Sequence, residues 1–246
     1  CTDNLPDPEI ALPGEHFNSV IYSGDSADDH NISVGFQPDF VWIKDRNVGP
    51  SAHYLVDSVR GLGTGDSMKV LVSNASDTEY TNMDDQLISF DTDGFTLDDN
   101  TDINFYVNIT GENYVSWNWK GGGAAVANTT GTVDALVSAN TTAGFSIVKF
   151  DEAGTGVNAT IGHGLSQAPE LVIGKPYNAA DSWRVGSDFL TSWAYIMRLQ
   201  TTVAELSFPS AFNSLAPTST LVNMGTDGLN NTGYESILYC FHSVEG

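Results

Sequence analysis

The sequence predicts an all-β protein: two tandem antiparallel β-sandwich modules of a jelly-roll or lectin-like type. Three observations carry that reading. Apolar residues recur in short alternating runs bounded by Gly, Asn, Asp and Pro, the mark of many short antiparallel strands. No stretch holds the 3.6-residue apolar period that a long helix needs. One pattern is written twice, because Phe17 to Lys120 resembles Phe145 to Phe241 once gaps are allowed.

The elements follow in chain order. Residues 1–16 open with CTDNLPDPEIALPG, whose three prolines predict an extended tether. The first module is placed at 17–120, with strands at 17–22 (FNSVIY), 39–44 (DFVWIK), 53–56 (HYLV), 68–72 (MKVLV), 86–90 (QLISF) and 114–119 (YVSWNW). The run at 39–44 is almost continuously apolar, as expected of a central strand covered on both faces. At 114–119, alternation puts Val115, Trp117 and Trp119 on one face and Ser116 and Asn118 on the other. Residues 121–143, GGG followed by small and polar residues, predict a flexible linker with one short strand near 132–137. The second module, 144–246, carries strands at 145–150, 170–174, 194–199 and 236–241. Turns are marked at Asp93-Gly94, Thr110-Gly111, Asp227-Gly228 and Thr232-Gly233.

The repeat aligns particular residues. VGFQPDFVWIK (34–44) answers HGLSQAPELVIGK (163–175), so Pro38 matches Pro169 and Lys44 matches Lys175. Ile173 stands where Trp42 does. In the closing strands Trp117 answers Tyr239 and Trp119 answers Phe241.

Composition bounds the function. Apolar residues make up 41% and aromatics 11% of the 246 residues, enough to build packed cores and to exclude global disorder. There are 31 acids against 9 bases, a net charge of -22. Residues 1–123 hold 21 acids and 5 bases (net -16), and residues 124–246 hold 10 and 4 (net -6). A field of that sign repels phosphate, which disfavours nucleic acid and anionic lipid as partners. No run approaches the roughly 20 apolar residues of a spanning helix, so membrane insertion is not expected. The two cysteines, Cys1 and Cys240, fit no metal or redox spacing, and nothing in the sequence supports a disulfide between them.

His16, His30, His53, His163 and His242 lie in no nucleophile-elbow or zinc-ligand setting, and Gly162-His163-Gly164 reads as a turn. No catalytic residue, cofactor or metal is assigned. DTDGFTLDDNTD (91–102) concentrates the hard oxygens of Asp91, Asp93, Asp98, Asp99 and Asp102 but fails the EF-hand spacing, and reads first as a hairpin with solvated acids. Tyr177, Trp183 and Trp193 lie in more polar surroundings than Trp42; they are the rings considered for sugar stacking, with partial core packing as the plainer reading. Seven N-x-S/T sequons, at Asn31, Asn74, Asn108, Asn128, Asn140, Asn158 and Asn230, are expected in surface loops.

Nine segments resemble, in the same order, a module of long structural proteins of marine phages. They are LPDPEIALPGEHFN, VGFQPDFVWIK, HYLVDSVRG, SFDTDGFTL, YVSWNWKGGG, AGFSIV, GHGLSQAPELVIGK, LAPTSTLV and LYCFHSVEG. Such proteins are tail fibres or tail-associated virion proteins. There the module often follows a SPRY-like, concanavalin-type sandwich through a joint like CTDNLPDP, which suggests a piece of a longer fibre. The resemblance implies a virion or extracellular location, a non-enzymatic role in host attachment, and other virion subunits as partners, in a homo-oligomer for which a trimer is one form. It leaves the host glycan or protein contacted unknown, and it carries over no catalytic residue. Three rivals stay open: a purely structural virion component, a cellular surface adhesin or extracellular filament subunit, and a polysaccharide-degrading enzyme, which a deep cleft holding two carboxylates would favour.

Overall fold

A computed structural model describes residues 12–47, 49, 51–62, 67–84, 87–99, 106–151 and 158–244. Their secondary structure is strand apart from a single 3-10 turn at Pro13–Glu15. The chain is all-β, with every paired strand antiparallel to its neighbour.

The first copy contributes β1 (Phe17–Ser23), β2 (His30–Ser33), β3 (Phe40–Asp45), β4 (His53–Asp57), β5 (Ser67–Val72), β6 (Tyr80–Asp84), β7 (Leu87–Asp91), β8 (Gly94–Leu97) and β9 (Asn113–Trp119). They form a six-stranded sheet, β1-β9-β3-β4-β5-β6, and a three-stranded sheet, β2-β8-β7. The remainder contributes β10 (Val126–Asn128), β11 (Ala135–Asn140), β12 (Phe145–Asp151), β13 (Ala159–Gly162), β14 (Leu171–Pro176), β15 (Arg184–Ser187), β16 (Tyr195–Ile196), β17 (Leu206–Ser207), β18 (Leu221–Met224) and β19 (Glu235–Phe241). These form a second six-stranded sheet, β10-β11-β12-β19-β14-β15, and two short ribbons, β13-β18 and β16-β17.

The duplication holds bond by bond. β9 lies between β1 and β3, as β19 lies between β12 and β14. The N–H of Asp39 donates to the carbonyl of Trp119 at 2.9 Å, and that of Glu170 to Phe241 at 2.8 Å. The N–H of Lys120 donates to His16 at 2.8 Å, and that of His242 to Gly144 at 2.9 Å. The ammonium groups of Lys44 and Lys175 each donate to the carbonyl of the next residue at 2.7 Å.

Alternation along the strands sorts side chains into three apolar layers. Val41 and Ile43 of β3, Tyr54 and Val56 of β4, and Val70 and Val72 of β5 pack with Ile32, Phe95 and Leu97 of the small sheet in a core private to the first copy. Val148, Val172, Leu238 and Cys240 pack with Ile161, Val222 and Phe212 in a core private to the second. The opposite faces meet each other: Phe40, Leu55 and Leu71 pack against Phe145, Ile147, Tyr177, Trp183, Ile237 and Tyr239. The two large sheets are therefore cemented together, and each copy has its own core besides.

Two expectations are corrected here. Residues 121–143, expected as a flexible linker, carry β10 and β11, and β11 pairs along β12 from Ala135↔Phe150 to Asn140↔Phe145. The reason is burial: Ala135 and Val137 drop into the second core, so the segment gains apolar contacts that outweigh its small-residue flexibility. The copies are also not beads on a string, since the shared layer joins them. Of the tether, Pro13–Glu15 form the 3-10 turn, flanked by Leu12 and His16, and residues 1–11, with Cys1, lie outside the described residues.

Candidate binding site: a tryptophan groove on the first sheet

The second sheet covers Leu55 and Leu71 of the first sheet's inner face and reaches Phe40 and, at 6.2 Å, Trp119. The rest of that face, at Trp42, Trp117 and His53, meets solvent. There the antiparallel register sets Trp42 beside Trp117, and Phe40 beside Trp119. Lys44 pairs with His53, which brings the imidazole to the same face. Trp42, His53, Trp117 and Trp119 line a solvent-facing groove of about 260 Å³. All four are half-buried. The ladder makes this geometry without any loop: residues two apart on one strand share a face, and cross-strand neighbours complete the row.

The burial of β9 inverts simple hydrophobicity. Ser116 and Asn118 are fully buried, whereas the alternating Trp117 and Trp119 reach solvent. The NH2 group of Asn118 is satisfied locally, since Nδ2 donates to Ser116 Oγ at 3.0 Å and to the Asn18 carbonyl at 3.1 Å, whereas its buried Oδ1 accepts no hydrogen bond.

Two indole planes meet almost at right angles, with Trp42 and Trp117 centroids 6.3 Å apart at 79°. Trp42 Nε1–H donates to His53 Nδ1 at 3.1 Å. That bond needs a lone pair on Nδ1, so the ring is neutral and carries its proton on Nε2. Burial, and then the nearby Lys44 ammonium, hold the His53 pKa below the ordinary histidine value. Lys44 is itself tied down by the Asp45 carbonyl and Ser51 Oγ. The groove thus has rigid apolar walls and one orienting imidazole. It suits a ligand with an apolar face and a polar rim, such as a pyranose ring, for which stacked aromatics supply contact area at little entropic cost.

An aromatic row anchors the groove to the body. Phe17 lies 4.9 Å from Trp119, Trp119 stacks on Phe40 at 5.0 Å, and Phe40 stacks on Tyr239 of the second copy at 4.2 Å. Beside Tyr239 sits a buried charge cluster. Arg60 Nε reaches Asp57 Oδ2 at 2.6 Å, Nη1 reaches Glu79 Oε1 at 2.5 Å, and Nη2 donates to the Leu55 carbonyl at 3.1 Å. The Tyr239 hydroxyl donates to the same Asp57 oxygen at 2.7 Å. Burial opposes the Arg60 charge, but Asp57, Tyr239 and Glu79 outweigh it and hold the guanidinium protonated. Trp183 Nε1–H to the Val72 carbonyl, 3.0 Å, and Glu79 N–H to the Tyr177 carbonyl, 2.7 Å, complete the junction.

The residues singled out from sequence fare unevenly. Trp183, Trp193 and Tyr177 are buried at 0%, 6% and 7% exposure, so the rings considered for sugar stacking are packing residues. Trp42, read as part of a strand covered on both faces, is covered on one face and lines the groove. The missing signal was the position of the other sheet, which local polarity does not carry. Asp98 and Asp99 approach Asp28, a residue from a different loop, with one carboxylate oxygen of each within 4.8 Å of the others. A hydrogen bond with Asp98, then the charge of Asp99, raise the Asp28 pKa. Asp91 instead accepts from Thr96 and Asn31, Asp93 accepts from Ser33, and Asp102 lies outside the described residues.

Five sequons contradict the surface-loop expectation: Asn31, Asn128 and Asn140 lie on β2, β10 and β11, and two more are buried. Asn108 and Asn230 are fully buried, Asn108 because its amide donates to the Asp98 carbonyl at 2.7 Å while its oxygen accepts from Asp25 N–H at 3.1 Å. The histidines sit in structural hydrogen bonds: His163 Nε2 to the Thr218 carbonyl at 3.1 Å, His30 Nδ1 to Asn108 Oδ1 at 2.7 Å, His242 Nδ1 to the Ser243 carbonyl at 2.8 Å. The turn expected at Gly162-His163-Gly164 is not formed: Gly162 still pairs with Leu221 at the end of β13, and Gly164 takes φ +74° just beyond it. Cys240 is a buried thiol whose pKa is pushed up to about 12 by burial.

The chain belongs to the family described as domain of unknown function DUF7483, whose profile matches residues 12–246. That match runs through both copies and the segment between them, so the family's unit is the joined pair. No curated protein and no solved structure matches the chain.

Proposed function

For this member of the family, we propose a phage virion structural role, as a tail-fibre or tail-adhesin segment that acts in host attachment by holding a surface saccharide in its tryptophan groove. The reading assigns it no reaction. One observation carries the binding part: three half-buried indoles and one imidazole converge on a solvent-facing groove. The cemented double-sheet body supports the mechanical part, because a shared apolar layer and a buried ion cluster resist bending between the copies. The net charge of -22 favours neutral saccharides over anionic ones.

Binding of the full chain to a panel of immobilised neutral and acidic oligosaccharides tests this. The expected result is retention on a neutral member, weakened roughly tenfold or more by Trp42→Ala or Trp117→Ala, the scale set by losing a central aromatic contact. Retention unchanged by both substitutions, or no retention on any member, would remove the groove from the proposal.

A purely structural virion component is the second reading. The outer edge of β1, which no strand among the described residues pairs, favours it.

A further inference from the structure

We propose that the outer edge of β1 is a pairing edge for a second copy of this chain, joining the two first sheets across a two-fold axis. The inference stands apart from the saccharide reading and rests on different atoms.

The backbone sets which groups are free. Lys120 N–H donates to the His16 carbonyl and Gly24 N–H to the Glu112 carbonyl, just outside the two ends of β1. Those bonds turn the even-numbered residues of β1 toward β9. Antiparallel alternation then points the N–H and C=O of Phe17, Ser19, Ile21 and Ser23 away from it. Among the described residues no strand pairs with that edge. In the second copy the same positions are Phe145, Ile147 and Lys149, and they are paired by Asn140, Ser138 and Leu136 of β11. The duplicated sheet is thus built to accept an antiparallel strand at this edge, and in one copy does so.

Among the described residues, the other three outer edges of the two six-stranded sheets are guarded in the ways that natural sheets guard them. β10 is only three residues long. The register of β6 with β5 shifts between Met68 and Val70. β15 is four residues long, starts with Arg184, and its Val185 is bridged by Met197. β1 has none of these devices. It is seven residues of FNSVIYS, without charge, proline or register shift. Ile21 is 64% exposed and Phe17 42% exposed on one face.

A second copy fits this edge by symmetry and charge. A two-fold axis at Val20 sets Ser19 opposite the second copy's Ile21, keeps the apolar residues of both strands on one face, and preserves the outward hydrogen-bonding set. It also joins two bodies of net charge -22 along a strand that carries no carboxylate.

Sedimentation velocity of the full chain over a concentration series is the test. A monomer–dimer equilibrium is expected, strengthened by added salt as the like net charges are screened. Ile21→Asp places carboxylates close together across the axis. Ser19→Pro removes an N–H that β9 does not use. Each is expected to weaken dimerisation by about tenfold or more while the thermal midpoint stays near that of the parent. Should Ser19→Pro fail to fold, Ile21→Asp decides, because its side chain stands in solvent. A chain monomeric at every concentration overturns the proposal. So does a dimer indifferent to both substitutions, or Ser19 and Ile21 amides slow to exchange in the dilute monomer, which would place a covering strand within one chain.

Discussion

The two copies share register, turn placement and backbone hydrogen bonds, yet use the same face in opposite ways. In the second copy Tyr239 is 1% exposed and Ile147 and Trp183 are fully buried, because the face is spent on docking. In the first copy the equivalent positions are Trp117, Ser19 and His53, and the row stays open. The docking is offset, so one copy's sticky face can be covered while part of the other's remains available. A duplicated sheet thereby yields a glued face and a free face from one ancestral pattern.

The comparison can be broken at the junction. Arg60→Ala leaves Asp57 and Glu79 as uncompensated buried carboxylates and should destabilise the chain by about 3–5 kcal/mol. Chemical denaturation followed by tryptophan emission measures it. Because the shared layer couples the copies, both should unfold in one transition in the parent. Two resolved transitions in the parent would mean that the layer does not couple them.

Twin substitutions sharpen the same contrast. Tyr239→Phe removes a hydrogen bond to a buried carboxylate and should cost about 1.5–3 kcal/mol. Trp117→Phe, at the equivalent position, keeps an aromatic ring and loses no hydrogen bond shown by the structure, so it should change stability by about 0.5 kcal/mol or less, as surface substitutions do. Equal costs in urea titrations would mean that the two faces are not differently used.

The smallest effect is a pH dependence. His53 has a folded-state pKa below its unfolded value, so the unfolded chain binds more protons between the two. Stability is therefore complete above the ordinary histidine value and falls as pH drops through it toward the folded value. His163, also lowered by burial, adds a second loss of the same sign. His53→Gln, which keeps an acceptor for Trp42, should shrink the difference between urea midpoints at neutral and mildly acidic pH. An undiminished difference would assign the dependence to other groups.

Much of this was written locally. The strands at 17–22, 39–44, 53–56 and 236–241 were legible because alternation and turn residues are short-range signals. The repeat even placed Trp42 opposite Ile173 and Trp117 opposite Tyr239. β10 and β11 were less legible, since small and polar residues around GGG resemble a linker until Ala135 and Val137 find a core to enter. The groove was not legible, because Trp42 and Trp183 look alike in a list of aromatic residues.

The sequence alone determined the all-β class, the duplicated unit and the pairing of equivalent positions, since each follows from patterns a few residues long. Only the tertiary structure decided which aromatic face is covered and which meets solvent. That choice depends on how far one sheet slides across another, and sliding is set by long-range contacts such as Tyr239 on Asp57 and Phe40 on Tyr239, partners nearly two hundred residues apart with no local signature to announce them.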